Sequence, residues 1–157
     1  MGAGQQSDIA MADLDRIFPQ LQLGTYSVTS PESVYYNCIA WAAGETDRRW
    51  WPMEPPFFYW PTAERDATVD CFVRAFALLG YEACDHCALE LGYEKVALYA
   101  TSGNEPTHMA RQLPNGNWTS KLGKLEDIEH RTLSAVEGND YGNVVRILRR
   151  PLGSSRY

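Results

Sequence analysis

The sequence predicts an α+β domain, with helices leading and a small antiparallel sheet following. Three observations carry that expectation. The first half holds two helix signatures, Asn37 before Cys38 with Gly44 beyond, and Thr68 before Val69 with Gly80 beyond. The second half, from Lys95, is β-prone and broken by the turn sequence Pro114-Asn115-Gly116-Asn117. There is little β-α-β alternation, which argues against a parallel sheet.

Length and composition bound the function. A chain of 157 residues suits one domain, expected over 11–152, between a flexible N-terminus at 1–10 and a tail at 153–157. Hydrophobic residues at 45% and charged residues at 22% are ordinary for a globular protein. The net charge of −6 argues against a nucleic-acid partner and against an anionic membrane surface. No apolar run approaches a membrane span. Met1–Ile9 has no basic segment followed by an apolar core, so no signal peptide is expected. A cytoplasmic location with reduced cysteines follows, although signal-independent export would leave the same sequence.

Taken in order, Met11, Leu14, Ile17 and Phe18 are spaced as a helix stopped by Pro19. Thr25 to Ser33 is polar and reads as a loop. The run after Asn37 is apolar on every side, so its helix is expected to be buried and packed against the later strands. From Asp47 to Pro61, Trp50, Trp51, Phe57, Phe58, Tyr59 and Trp60 are interleaved with Pro52, Pro55, Pro56 and Pro61, which forbids a regular helix or a central strand. This segment is either a lid on the core or one wall of a substrate groove, or both. Val69, Phe72, Val73, Phe76 and Ala77 form the apolar stripe of an amphipathic helix. Tyr81–Cys84 reads as a short strand and His86–Leu91 as a turn or short helix. Lys95–Ala100, Thr107–Leu113 and Trp118–Leu122 read as an antiparallel meander. Leu125–Val136 has helical character, with Glu126, Asp127 and Glu129 as a solvated acidic face. Val144–Leu148 reads as a final strand.

The chemistry centres on Cys38. As the first residue of a helix it feels unpaired backbone N–H groups and the helix dipole, both of which favour thiolate. The opposing interpretation is a plain buried cysteine, since free Cys behaves as a small hydrophobe. A thiolate nucleophile needs a base, and the chain has three histidines, His86, His108 and His130. His108 falls on a predicted strand beside small residues, whereas His130 reads as helix surface or a local hydrogen bond.

Asn37-Cys38-Ile39-Ala40-Trp41 at a helix start, Thr107-His108-Met109-Ala110 on a strand and Asn117-Trp118-Thr119-Ser120-Lys121 on the next resemble the papain-like cysteine hydrolases, in particular the compact NlpC-type amidase and toxin domains. They also resemble a small family of uncharacterised domains with a similar Asn-Cys-Ile-Ala-Trp core and His-x-Ala-Arg-Gln strand. The resemblance spans roughly Val34 to Gly123 by element order. It implies a papain-like fold, Cys38 as nucleophile, His108 as general base and a third group that orients the imidazole. Ser120 or Asn117 would be that group, and hairpin register decides. With a two-residue loop, Leu113 pairs with Trp118 and Ser120 points away from His108. With a three-residue loop, Leu113 pairs with Asn117 and Ser120 shares the His108 face, diagonal through Ala110. The chain departs from the families where an oxyanion-hole Gln would precede the cysteine, since Glu32 stands there, and Tyr26 only loosely matches the upstream Tyr of NlpC-type domains.

On this reading the protein is a cysteine-dependent peptidase, amidase or deamidase that acts on a peptide or protein amide through a thioester, with no cofactor. Asn37 would cap the helix beside the oxyanion, and Trp41, Trp50 and Trp60 would line the groove. The alternative is a non-catalytic protein-binding module using the Trp/Pro-rich loop at 50–61. Cys84-Asp85-His86-Cys87 is a C-x-x-C with no second clustered pair elsewhere, so no zinc is expected.

Overall fold

The computed structural model describes residue 18 and residues 26–30, 35–53, 58–122 and 127–153. The expected helix at Met11–Phe18, apart from Phe18 itself, lies outside them, as do Pro55, Pro56 and Phe57 of the aromatic loop.

The expected α+β papain-like architecture with leading helices is not what the chain adopts. Among the described residues the fold is one seven-stranded antiparallel sheet with two short helices. In chain order the elements are β1 (Tyr26–Ser30), α1 (Cys38–Ala43), α2 (Val69–Ala77), β2 (Glu82–Cys84), β3 (Tyr93–Ala100), β4 (Pro106–Gln112), β5 (Trp118–Lys121), β6 (Asp127–His130), a 3-10 turn (Leu133–Val136) and β7 (Asn143–Pro151). The strand order is β1-β6-β5-β4-β3-β7-β2. Two segments account for the difference. Tyr26–Ser30, expected as loop, pairs with β6 from Tyr26↔His130 to Ser30↔Asp127. Asp127–His130, expected as helix, is held between β1 and β5. Cross-strand partners on both sides override the helical spacing.

The helix signatures hold locally. The Asn37 side chain accepts from the Ala40 amide, and Gly44 closes α1 at φ 86°. Thr68 caps α2 by accepting from the Cys71 amide. α1 is buried and packs against β4 and β5. It is too short to stand alone, so this packing sustains it.

Both faces of the sheet carry a core. On one face α1, α2 and the tryptophan loop pack over Val96, Leu98, Met109 and Leu148. On the other, Ala97, Tyr99, Ala110, Trp118 and Ile128 pack beneath Phe18 and the segment that carries Ala135, Val136 and Tyr141. Neighbours along β3 and β4 alternate between the two clusters, as strand geometry requires. Trp50 and Trp60, at 1% and 3% exposure, belong to the first core. Trp60 packs on Phe72 and Trp50 on Phe76.

Candidate functional site

The β4–β5 hairpin fixes where the expected catalytic residues go. Leu113 N donates to Asn117 O, and Gln112 pairs with Trp118, so the loop has three residues. Gly116 sits at φ 90°, a conformation that favours glycine. In this register Ser120 shares the His108 face. His108 Nε2 lies 3.0 Å from Ser120 Oγ, whereas Asn117 instead donates to Glu129 from its side chain. The pairing of His108 with Ser120 is therefore built as the longer loop requires.

Cys38 does not join them. His108 pairs with Tyr99 across β3–β4 and touches the Tyr99 ring, so it belongs to the face opposite α1. Cys38 lies on the α1 face with Met109, one residue along the strand. Its Sγ meets main chain, with Thr107 O at 4.0 Å. Burial pushes the thiol up to about 11, although backbone hydrogen bonds from Met109, Ile39 and Cys38 and the charge of Lys121 pull the other way. Burial holds His108 well below the usual histidine range, with His130 adding to the effect. A neutral thiol and a neutral imidazole on opposite sides of one strand do not form a dyad.

Lys121, which the sequence left aside, acts on the thiol through its charge, and Asp127, expected on a solvated acidic face, is instead inside the fold. Lys121 and Asp127 are fully buried. Tyr36 Oη donates to Asp127 Oδ2, and Lys121 Nζ lies 5.4 Å from the centre of the Tyr36 ring. Trp41 is half-buried, and its Nε1 donates to Thr119 Oγ1 at 2.9 Å. This set is legible only once β5 and β6 are known to pair, because Lys121 and Asp127 then share a face. Asn37 caps α1 and also clamps the tryptophan loop. Its Oδ1 accepts from Trp50 N and its Nδ2 donates to Trp50 O, at 3.0 and 2.7 Å.

The Cys84-Asp85-His86-Cys87 turn brings Cys84, His86 and Glu90 together, with ligand atoms within 4.8 Å of one another. The fully buried Lys95 already supplies the cation. Its ammonium donates to Ala88 O at 2.8 Å and His86 O at 3.1 Å, with His86 Nδ1 and Glu90 Oε1 each at 3.2 Å. A metal ion bound to His86 and Glu90 would face this ammonium at close range, which Coulomb repulsion disfavours.

Beside this turn lies an open groove of about 470 Å³ between residues 89–94, the β4–β5 hairpin and the end of β7. Leu89, Leu91 and Leu152 border it at 53%, 100% and 59% exposure, and Tyr93, Leu113 and Pro114 complete its apolar lining. Its carboxylates are engaged, Glu90 with Arg149 and Lys95, and Glu94 with Arg150. The loop before it is pinned to β4 by Gln112 Nε2 donating to Cys87 O. Sequence periodicity does not reveal this site, because its leucines come from three separate segments.

No described helix is long and apolar enough to cross a membrane. Comparisons with curated proteins and with solved structures find no match. Residues 27–149, most of the chain and all the strands but the ends of β1 and β7, match the family described as a domain of unknown function (DUF7689), and the chain belongs to that family.

Proposed function

We propose that this domain is a non-catalytic binding module that takes an apolar peptide or protein segment in the leucine-bordered groove. The observation that carries this reading is the grouping of Leu89, Leu91 and Leu152, all exposed, around one concavity. Single exposed leucines are normal, but a cluster around a groove costs hydration until something covers it. With Glu90 and Glu94 already paired, the contact is mainly apolar. The surface differs from the tryptophan loop, whose Trp50 and Trp60 are spent on the core. Selection from a random peptide library tests it. The enriched peptides should carry an aliphatic or aromatic anchor, and a Leu91→Asp/Leu152→Asp variant should bind them at least tenfold more weakly with an unchanged melting temperature. Peptides that bind both proteins equally, or no enrichment at all, overturn the proposal.

A second reading retains Cys38 as the nucleophile of a cysteine-dependent hydrolase. It is favoured by the backbone hydrogen bonds and the Lys121 charge that pull on the thiol. Against it, a thiol at about 11 is only about one part in ten thousand thiolate at neutral pH, and no imidazole faces it.

A further inference from the structure

β4, β5 and β6 each place one polar side chain under the cover on the face opposite α1. His108, Ser120 and His130 are all fully buried. Their hydrogen bonds run in one direction. Thr132 O only accepts, so His130 Nδ1 carries the proton between them, at 2.8 Å. His130 Nε2 is then an acceptor, and the Ser120 hydroxyl donates to it at 2.8 Å. Ser120 Oγ in turn accepts from His108 Nε2 at 3.0 Å. That leaves His108 Nδ1 as a bare lone pair, buried and without a hydrogen-bond partner among the described residues. The proton positions are assigned by elimination.

The chain of bonds ends in the segment that covers it. Residues 131–142 lie across the sheet and are tied down by side chains from three strands. His130 holds Thr132 O, Tyr99 Oη donates to Leu133 O, and Thr107 Oγ1 donates to Tyr141 O. The Tyr141 ring stacks on His108, with centroids 4.1 Å apart and planes 5° apart. At its far end, a Cβ on Gly142 would come 2.1 Å from Ala100 O, so the segment is pressed directly onto β3.

Such a chain accommodates one protonation state. A proton on His130 Nε2 removes the acceptor that Ser120 uses. A proton on His108 Nδ1 creates a buried N–H with no acceptor among the described residues. Either charge is relieved by letting water reach the rings, which means lifting the segment that covers them.

We propose that residues 131–142 form an acid-released strap, latched to the sheet by the His130–Ser120–His108 chain. Release uncovers Tyr99, Ala110 and the His108 ring. The titratable and charged groups around the latch are Tyr26 on β1, which pairs with His130, Tyr99 on β3, Glu129 on β6, and Arg131, Glu137, Asp140 and Tyr141 on the strap, with Cys87 acting on Tyr99 and Cys38 acting on Tyr141 from across the sheet. Burial holds His130 down at about 4, against the hydrogen bond to Thr132 O and the charge of Glu129, which both favour the charged form; Glu129 is itself held by Asn115 and Asn117. The ordinary histidine value is about 6.5, so acid favours the lifted state between those limits.

Hydrogen–deuterium exchange of the wild-type protein at pH 7 and pH 5, corrected for intrinsic rates, tests this. Strap opening should rise by up to about tenfold per pH unit for each histidine, while β3 and β4 amides keep their protection. Histidine ring ¹⁵N shifts at pH 7 should show the Nδ1–H tautomer for His130 and the Nε2–H tautomer for His108. A His130→Gln variant should lose one histidine's share of the pH dependence. Equal strap protection at both pH values, parallel loss from strap and core, or the opposite tautomers would each overturn the proposal. The wild-type measurements stand even where the variant fails to fold.

Discussion

One step along β4 separates Met109, which meets Cys38, from His108, which meets Ser120 and Tyr141. The sequence made several residues legible. The Asn37 cap, the buried start of α1 at Cys38 and the three-residue hairpin alternative are all local, set by capping and turn chemistry. The face on which α1 lands is not local, and it decides whether a thiol meets an imidazole. The consequence for Cys38 is measurable. At pH 7, iodoacetamide should label the exposed Cys87 first and leave Cys38 and Cys71 until last. His108→Ala should not alter the Cys38 rate. A Cys38 that reacts ahead of Cys87, and slows in His108→Ala, would restore the hydrolase reading.

At the scale of elements, misreadings fall where partners are distant in sequence. Tyr26 to Ser30 alternates inward and outward residues, with Tyr26 buried and Ser27 and Thr29 exposed. That period-two pattern was visible, but its short length and polar character masked it. Asp127–His130 carries no strand pattern strong enough to outweigh the helical spacing around it, and its pairing to β5 and β1 settles the matter. The described residues of the tryptophan loop, by contrast, form only the isolated bridge Trp50↔Tyr59, in keeping with its prolines. The loop acts as a lid through Trp50, Trp60 and their contacts on α2. Trp60→Ala should therefore cost about 3–5 kcal/mol in denaturant unfolding, with peptide affinity at the leucine groove unchanged. A smaller loss accompanied by weakened binding would make the loop a contact surface instead.

For the whole molecule, the sequence indicated one domain and a β-rich second half, but understated the sheet. The meander β3-β4-β5 was legible because its strands are neighbours in the chain. The outer pairings, β1 with β6 and β2 with β7, are not encoded near either partner. Stability also bears on the cation question. Lys95 supplies a covalently attached positive charge where Cys84, His86 and Glu90 converge. Treatment with a chelator should leave the melting temperature unchanged, and added zinc should not raise it. A stoichiometric zinc by elemental analysis, with a fall in melting temperature on its removal, would show that the lysine gives way to metal.

The pairing of β1 with β6 also dictates an order of events in time. The contact from Thr29 to Asp127 spans 98 positions, so on the ribosome the first strand emerges long before its only described neighbour exists. The meander can close on itself from short loops while β1 remains an unclaimed edge, and late docking of that edge is the slow, entropy-laden step that long-range strand pairing imposes. While the residues between β1 and β6 are being made, the nascent chain thus carries an unpaired strand, and the polar Ser27 and Thr29 of that strand moderate its tendency to pair with neighbouring chains.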